Sequence, residues 1–137
     1  MSSRRQERRL AIEILFQADV TGTDGRSALA GWIESGREVP AFTRELVEGV
    51  TDHLAELDET LGAHSEGWTV DRMASVDRTV LRAAGYELLF DRAVPVGVAI
   101  DEAVRAAKDL STEDSGRFVN GVLGKIAEGL ERPDAAS

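Results

Sequence analysis

The chain has 137 residues, 42% hydrophobic and 30% charged, with no cysteine and a net charge of −9. That length suits a single domain with a real core, and the lack of cysteine excludes disulfides and thiolate metal sites. No apolar run approaches the ~20 residues a bilayer span needs, and Glu13, Gln17 and Asp19 interrupt the segment after the basic start, so a secretory signal is not expected and the cytoplasm is.

The first ten residues carry +3, from Arg4, Arg5, Arg8 and Arg9 less Glu7, so the other 127 carry −12. An acidic protein repels nucleic acid unless guanidinium groups cluster locally. At about 100° per residue these four arginines fall within roughly 140° on one helical face. A helix over 3–21 is predicted, with Leu10, Ile14 and Ala18 on one line and Ile12, Leu15 and Phe16 on another. Cations at a helix N-terminus oppose the macrodipole, and these share a face with residues that turn inward further along. The reading is a basic stripe whose guanidinium forks stay free for phosphate, RNA before other anions because arginine also stacks on bases.

Thr21-Gly22-Thr23-Asp24-Gly25 is a turn-rich loop. A short helix over 27–35 holds Leu29, Trp32 and Ile33. From Pro40 to Leu61 the run Phe42, Leu46, Val50, Leu54, Leu57, Leu61 predicts one long helix. Residues 62–69 form a loop that Trp68 is expected to pack down, followed by a helical turn near 70–73. Ser75 is read as the cap of a helix bearing Val76, Val80, Leu81, Ala84 and Leu88. Pro95 opens another, with Val96, Ile100, Ala103, Val104 and Ala107.

Ser111 and Thr112 offer N-caps for the last helix, with Asp114 three residues after Ser111 as in a capping box. Its core residues are Val119, Val122, Leu123, Ile126 and Leu130. Gly121 is expected to admit a close neighbour and Asn120 to satisfy its amide on nearby backbone. Phe118, adjacent to Arg117 near a helix start, has the makings of a base-stacking platform. The fold class is all-α, six or seven helices in small antiparallel bundles, as one domain over 1–137 with a basic start at 1–10 and a flexible tail at 131–137. His53 and His64 are read as surface or capping groups, and neither a metal nor a cofactor is expected. No P-loop, His-Glu-x-x-His, Gly-x-Ser-x-Gly or dinucleotide fingerprint occurs, so the chain is not read as an enzyme.

Four blocks in order carry a resemblance. They are Arg9-Leu10-Ala11-Ile12-Glu13-Ile14-Leu15-Phe16 after the arginines, Asp77 through Leu89, Val98-Ala99-Ile100-Asp101-Glu102-Ala103-Val104 with Ala107-Lys108, and Phe118-Val119-Asn120-Gly121-Val122-Leu123. Over residues 4 to about 130 the chain resembles the NusB family of bacterial transcription antitermination factors. The resemblance implies two small helical bundles, no catalysis, and pairing with NusE, a ribosomal protein of the small subunit. It implies that the pair holds the single-stranded boxA element of ribosomal RNA transcripts and joins other Nus factors on RNA polymerase, with self-association also open.

By position, the RNA surface implied is Arg4, Arg5, Arg8, Arg9, Phe16, Asp114, Arg117 and Phe118, and the NusE surface includes Asp77. Where many relatives have Tyr this chain has Phe16, which removes any hydroxyl contact there. If all four arginines met phosphates, the single-strand salt slope would be about −2.8, a roughly fiftyfold loss between ~50 and ~200 mM salt. A NusB-like module of the kind attached to ribosomal RNA cytosine methyltransferases, and a helical adaptor with no RNA role, are the alternatives.

Overall fold

A computed structural model describes residues 2–131 and 134, and all that follows concerns those. Seven α-helices account for about three-quarters of them: α1 (Arg4–Thr21), α2 (Gly25–Glu34), α3 (Ala41–Asp52), α4 (Leu54–Ala63), α5 (Ser75–Phe90), α6 (Val96–Leu110) and α7 (Glu113–Glu128). A single 3-10 turn, Val70–Arg72, precedes α5, and the described residues include no strand. Helices α1–α3 pack on one another as one small bundle and α4–α7 as a second, with α5 also lying against α1 and α3.

Local chemistry sets several helix ends. Ser3 and Gln6 form a reciprocal capping box that satisfies N–H groups of the first turn of α1, despite the arginines there. Gly22, at φ 69°, ends it in the left-handed conformation. Thr112 caps α7 by accepting from the Ser115 N–H, while Asp114 turns outward to Arg117, so the predicted box through Ser111 and Asp114 does not form. Ser75 is the first residue of α5 rather than its cap. Its hydroxyl accepts instead from Arg78.

The long helix predicted from Pro40 to Leu61 is two, broken at His53. The backbone bonds His53 N–H to Gly49 C=O and Leu57 N–H to His53 C=O carry across the break, so hydrophobic spacing barely registers it. What the break does is redirect the apolar stripe. Leu46, Val47 and Val50 are buried on α3, which packs on α1 and α2, whereas Leu57 and Leu61 are buried on α4, which packs on α5 and α7.

The bundles are tied by an ionic network. Arg82 grips Asp58 of α4 through two 2.8 Å bonds and reaches Asp19 of α1 at 3.1 Å. Arg78 bonds Asp19 at 2.7 Å and the carbonyls of Val70 and Met73. Burial alone would raise the Asp19 carboxyl, but Arg78 and Arg82 outweigh it and hold it below its ordinary range.

The close approach expected at Gly121 falls at a different glycine of α7. Gly121 is exposed, and a β-carbon there would meet nothing. Gly116 is the close approach, since a β-carbon there would sit 2.6 Å from Cγ of Lys108 on α6. Asn120 also faces solvent. Thermal melts should therefore show Gly121→Ala gaining about 0.5–1 kcal/mol from the removal of an unnecessary helix glycine, and Gly116→Ala losing stability.

Of the tail predicted to be flexible, Asp134 accepts a hydrogen bond from the Val96 N–H at the start of α6. Arg132, Pro133 and 135–137 lie outside the described residues. None of the described helices is long and apolar enough to cross a membrane, and among the described residues no group of three or more His, Asp or Glu is arranged to hold a metal ion.

Candidate nucleic-acid interface

The arginines of α1 divide into two kinds, and this is the main correction to the free stripe. Arg8 points inward. It is 6% exposed and meets Glu87 of α5 in a two-pronged pair, with both bonds at 2.8 Å. The helical arithmetic puts Arg8 inside the arc, about 40° round from Arg4 and short of Arg5, but it lies a turn further along than either, where α1 has come against α5. Arg8 therefore holds α1 on α5 and cannot meet a phosphate while the pair stands. Burial pushes the Glu87 carboxyl above its ordinary range, and the Arg8 guanidinium pulls it part of the way back.

Arg4, Arg5 and Arg9 remain at the surface, each with a partner. Arg5 straddles both oxygens of Glu102 on α6, the closest at 2.9 Å, and Arg9 reaches Asp109 of the same helix at 2.9 Å. Arg4 pairs with Glu7 at 3.3 Å and lies over the Phe42 ring, 4.3 Å from its centroid. The Arg5 bond holds the Glu102 carboxyl below its ordinary range, so that contact is fully ionic at neutral pH. Exposed ion pairs contribute little and are screened by salt. A phosphate can replace the exposed Asp109 on Arg9 freely. The Glu7 and Glu102 carboxylates are largely covered, with side-chain exposures of 16% and 14%, so Arg4 and Arg5 meet a phosphate best by sharing their free N–H groups.

Between α1 and α6 runs a groove of about 530 Å³ lined by Arg5, Gln6, Arg9, Leu10, Glu13, Arg105 and Asp109. Arg105 is a further cation on this face that the sequence reading missed. It lies on the polar side of an amphipathic helix whose charges read as solvated. Further along α1, Arg9, Ile12, Glu13, Phe16, Val76 and Leu110 line a second groove of about 490 Å³. Phe16 and Leu110 are both exposed there, at 37% and 49%. Next to Val76, in the first turn of α5, Asp77 has one carboxylate oxygen buried with no hydrogen-bond partner among the described residues. A buried acceptor left open is unusual.

Asp114, Arg117 and Phe118 form a separate patch at the start of α7. Asp114 and Arg117 are exposed and paired with each other, and Phe118 is half-buried. Among the described residues no hydrogen bond or ion pair joins them to the α1 arginines. The link is through the chain: Leu110 of the second groove precedes Asp114 by one short turn. Trp68 does not pack its loop down as expected. It stands 52% exposed, edge-on to Phe118 at 6.4 Å between ring centroids.

Fold and face together define a class: an all-helical protein of two small bundles that presents arginine and aromatic side chains along its first helix and at the start of its last. The profile of the NusB family matches residues 5–128. The chain is 46% identical to the transcription antitermination protein NusB of Leifsonia xyli over 138 residues, 96% of each chain. It is 50% identical to that of Saccharopolyspora erythraea over 130 residues, 93% of this chain and 88% of the relative. This chain belongs to the NusB family.

Solved structures agree. NusB of T. maritima superposes with a TM-score of 0.87 at 34% identity, covering 98% of this chain and 96% of that one. The NusB-type chain in a crystal structure of antitermination factors NusB and NusE in complex with dsRNA gives a TM-score of 0.82 at 26% identity, covering 93% and 97%.

Proposed function

We propose that this protein is a non-enzymatic transcription antitermination factor of the cytoplasm. It holds the boxA element of nascent ribosomal RNA as a single strand, together with NusE, and joins other Nus factors on RNA polymerase. Toward RNA it would present Arg4, Arg5, Arg9 and Phe16 on α1 and Asp114, Arg117 and Phe118 on α7. Toward NusE it would present Asp77. Arg8 is a positioning residue in this account, setting the angle of α1 through Glu87.

The observation that carries the reading is the set of guanidinium groups at the surface, Arg4, Arg5 and Arg9, beside an uncovered Phe16. They occur in a chain nearly coextensive with a NusB seen alongside NusE and RNA. Arginine forks suit phosphates and exposed rings suit unpaired bases. The open acceptor on Asp77 suits a donor from a basic ribosomal protein, and the acidic body favours that encounter.

With Arg8 sequestered, three arginines remain on α1, and their share of the salt slope falls to about −2.1, a roughly twentyfold loss between ~50 and ~200 mM. Fluorescence titration of a boxA-type strand across a salt series, with and without the ribosomal partner, tests this. Changing Arg4, Arg5 and Arg9 together to Ala should flatten the slope by about two. An unchanged slope would remove α1 from the interface. A second copy of the chain is the rival occupant of the Phe16–Leu110 groove, and a mass measurement on the same samples tells it apart.

A further inference from the structure

The loop after α4 covers residues 64–69, shorter than the predicted 62–69 because α4 runs on through Ala63, and it is built to hold one aromatic ring in the open. Ser65, 2% exposed, anchors the loop by donating its hydroxyl to the Leu61 carbonyl, and the Trp68 N–H returns to the Ser65 carbonyl at 3.0 Å. Between these anchors Glu66 and Gly67 both have positive φ, 37° and 85°. For Glu66 that conformation costs energy, which a merely connecting loop would avoid. The outcome of this turn is an indole left half in solvent, with no hydrogen bond from its ring nitrogen among the described residues.

Phe118 meets that indole edge-on, and the two rings open onto a cleft of about 390 Å³ lined also by His64, Arg117, Gly121 and Lys125. His64 is fixed by a 2.8 Å bond between its Nδ1 and the Thr60 carbonyl. Gly121 leaves one wall free of side chain. The cations are compensated locally, Lys125 by Glu66 and Arg117 by Asp114. The cleft is thus aromatic, narrow and close to neutral. Trp32, the other indole, is already engaged: its nitrogen donates to Gln17 and Arg37 covers its face.

We propose that Trp68 and Phe118 form a base-stacking site for an unpaired RNA nucleotide, extending the RNA path from the start of α7 onto the 64–69 loop. The inference rests on the RNA-binding reading above and adds to it a position, Trp68, and a mode of binding. A base slides against the indole face with Phe118 behind it. Since the surrounding charges cancel, the site contributes through stacking and leaves the salt dependence to α1.

Binding of a short single-stranded oligoribonucleotide carrying a boxA-type element, measured with the ribosomal partner present, gives the test. Trp68→Ala should weaken binding about fivefold or more with the salt slope unchanged, and Trp68→Phe should keep most of the affinity. In a Trp32→Phe protein the remaining indole fluorescence should be quenched as RNA is added, a readout that needs no change at position 68. If the unaltered protein binds RNA but Trp68→Ala binds as well and the indole is not quenched, this site is wrong and the α1 interface stands. A loss accompanied by a flatter salt slope would also overturn it, since that marks a lost ionic contact. Failure of the unaltered protein to bind RNA at all overturns both readings.

Discussion

Replacing Arg8 with Ala should cost about 3–5 kcal/mol at neutral pH, the penalty for stranding a buried carboxylate, and lower the melting temperature by roughly 10–20 °C. The pair it breaks is almost wholly enclosed, with side-chain exposures of 7% and 1%. The pH dependence distinguishes this from simple loss of packing. Glu87 already has a raised carboxyl because of burial. A group raised in the folded state stabilises below its ordinary value of 4.5 and withdraws that contribution as pH rises through its folded pKa. Without Arg8 the folded pKa climbs further, so Arg8→Ala should recover part of its loss in mild acid, where Glu87 is neutral. A combined Arg8→Met, Glu87→Leu protein should recover stability at all pH values. Melting curves between about pH 5 and 8 check this, and pH-independent destabilisation would show that Glu87 is not the stranded group. One functional consequence follows: weak RNA binding by Arg8→Ala alone reports a displaced α1, and only the double replacement isolates any contact Arg8 makes.

The second large effect is expected at Asp19, where α1 meets α5. Removing this carboxylate with Asp19→Ala takes partners from both Arg78 and Arg82. Arg82 keeps Asp58 and Arg78 keeps two carbonyls, so the loss should be about 2–3 kcal/mol, below that for Arg8. The sign of the pH effect is opposite. Asp19 is depressed in the folded protein, so it stabilises above its ordinary 3.8 and that contribution fades as pH falls through the folded value. Asp19→Asn should therefore be less stable at neutral pH yet lose less on acidification. Denaturant unfolding at neutral pH and near pH 3 measures both. An Asn protein as acid-sensitive as the original would assign the acid limb to other carboxylates.

These two contacts mark the boundary of what the sequence makes legible. Hydrophobic spacing finds the helices because an amphipathic face is a local property, and a cap such as Thr112 lies within a turn of what it caps. Partners across the fold are not local. Arg8 and Glu87 are 79 residues apart, Arg5 and Glu102 97, Arg9 and Asp109 100. From the first ten residues Arg8 looks like Arg4, and only the packing of α5 tells them apart.

Three other differences have the same origin. The break at His53 leaves the apolar spacing intact, so periodicity passes over it. Gly116 and Gly121 are alike as letters, but only one has Lys108 against it. Trp68 reads as a hydrophobic residue in need of burial, and the positive-φ turn before it, which keeps it out, has just one glycine to announce it. Arg117 and Phe118 are legible as candidates because residue type and neighbours suffice to suggest stacking, whereas Phe16 enters only through the family resemblance, since its spacing places it with the inward-turning Ile12 and Leu15 and the structure leaves it exposed. Arg105, which completes the α1–α6 groove, is not legible.

For RNA gripped along α1 and α7, the most direct measurement is ultraviolet crosslinking of a boxA-type single strand to the protein in the presence of the ribosomal partner, followed by peptide mapping. Crosslinked nucleotides should fall on residues 4–16 and 114–118 and on Trp68 beside Phe118, with none on the α2–α3 side. Adducts confined to α2 and α3, or spread evenly over the surface, would contradict the account.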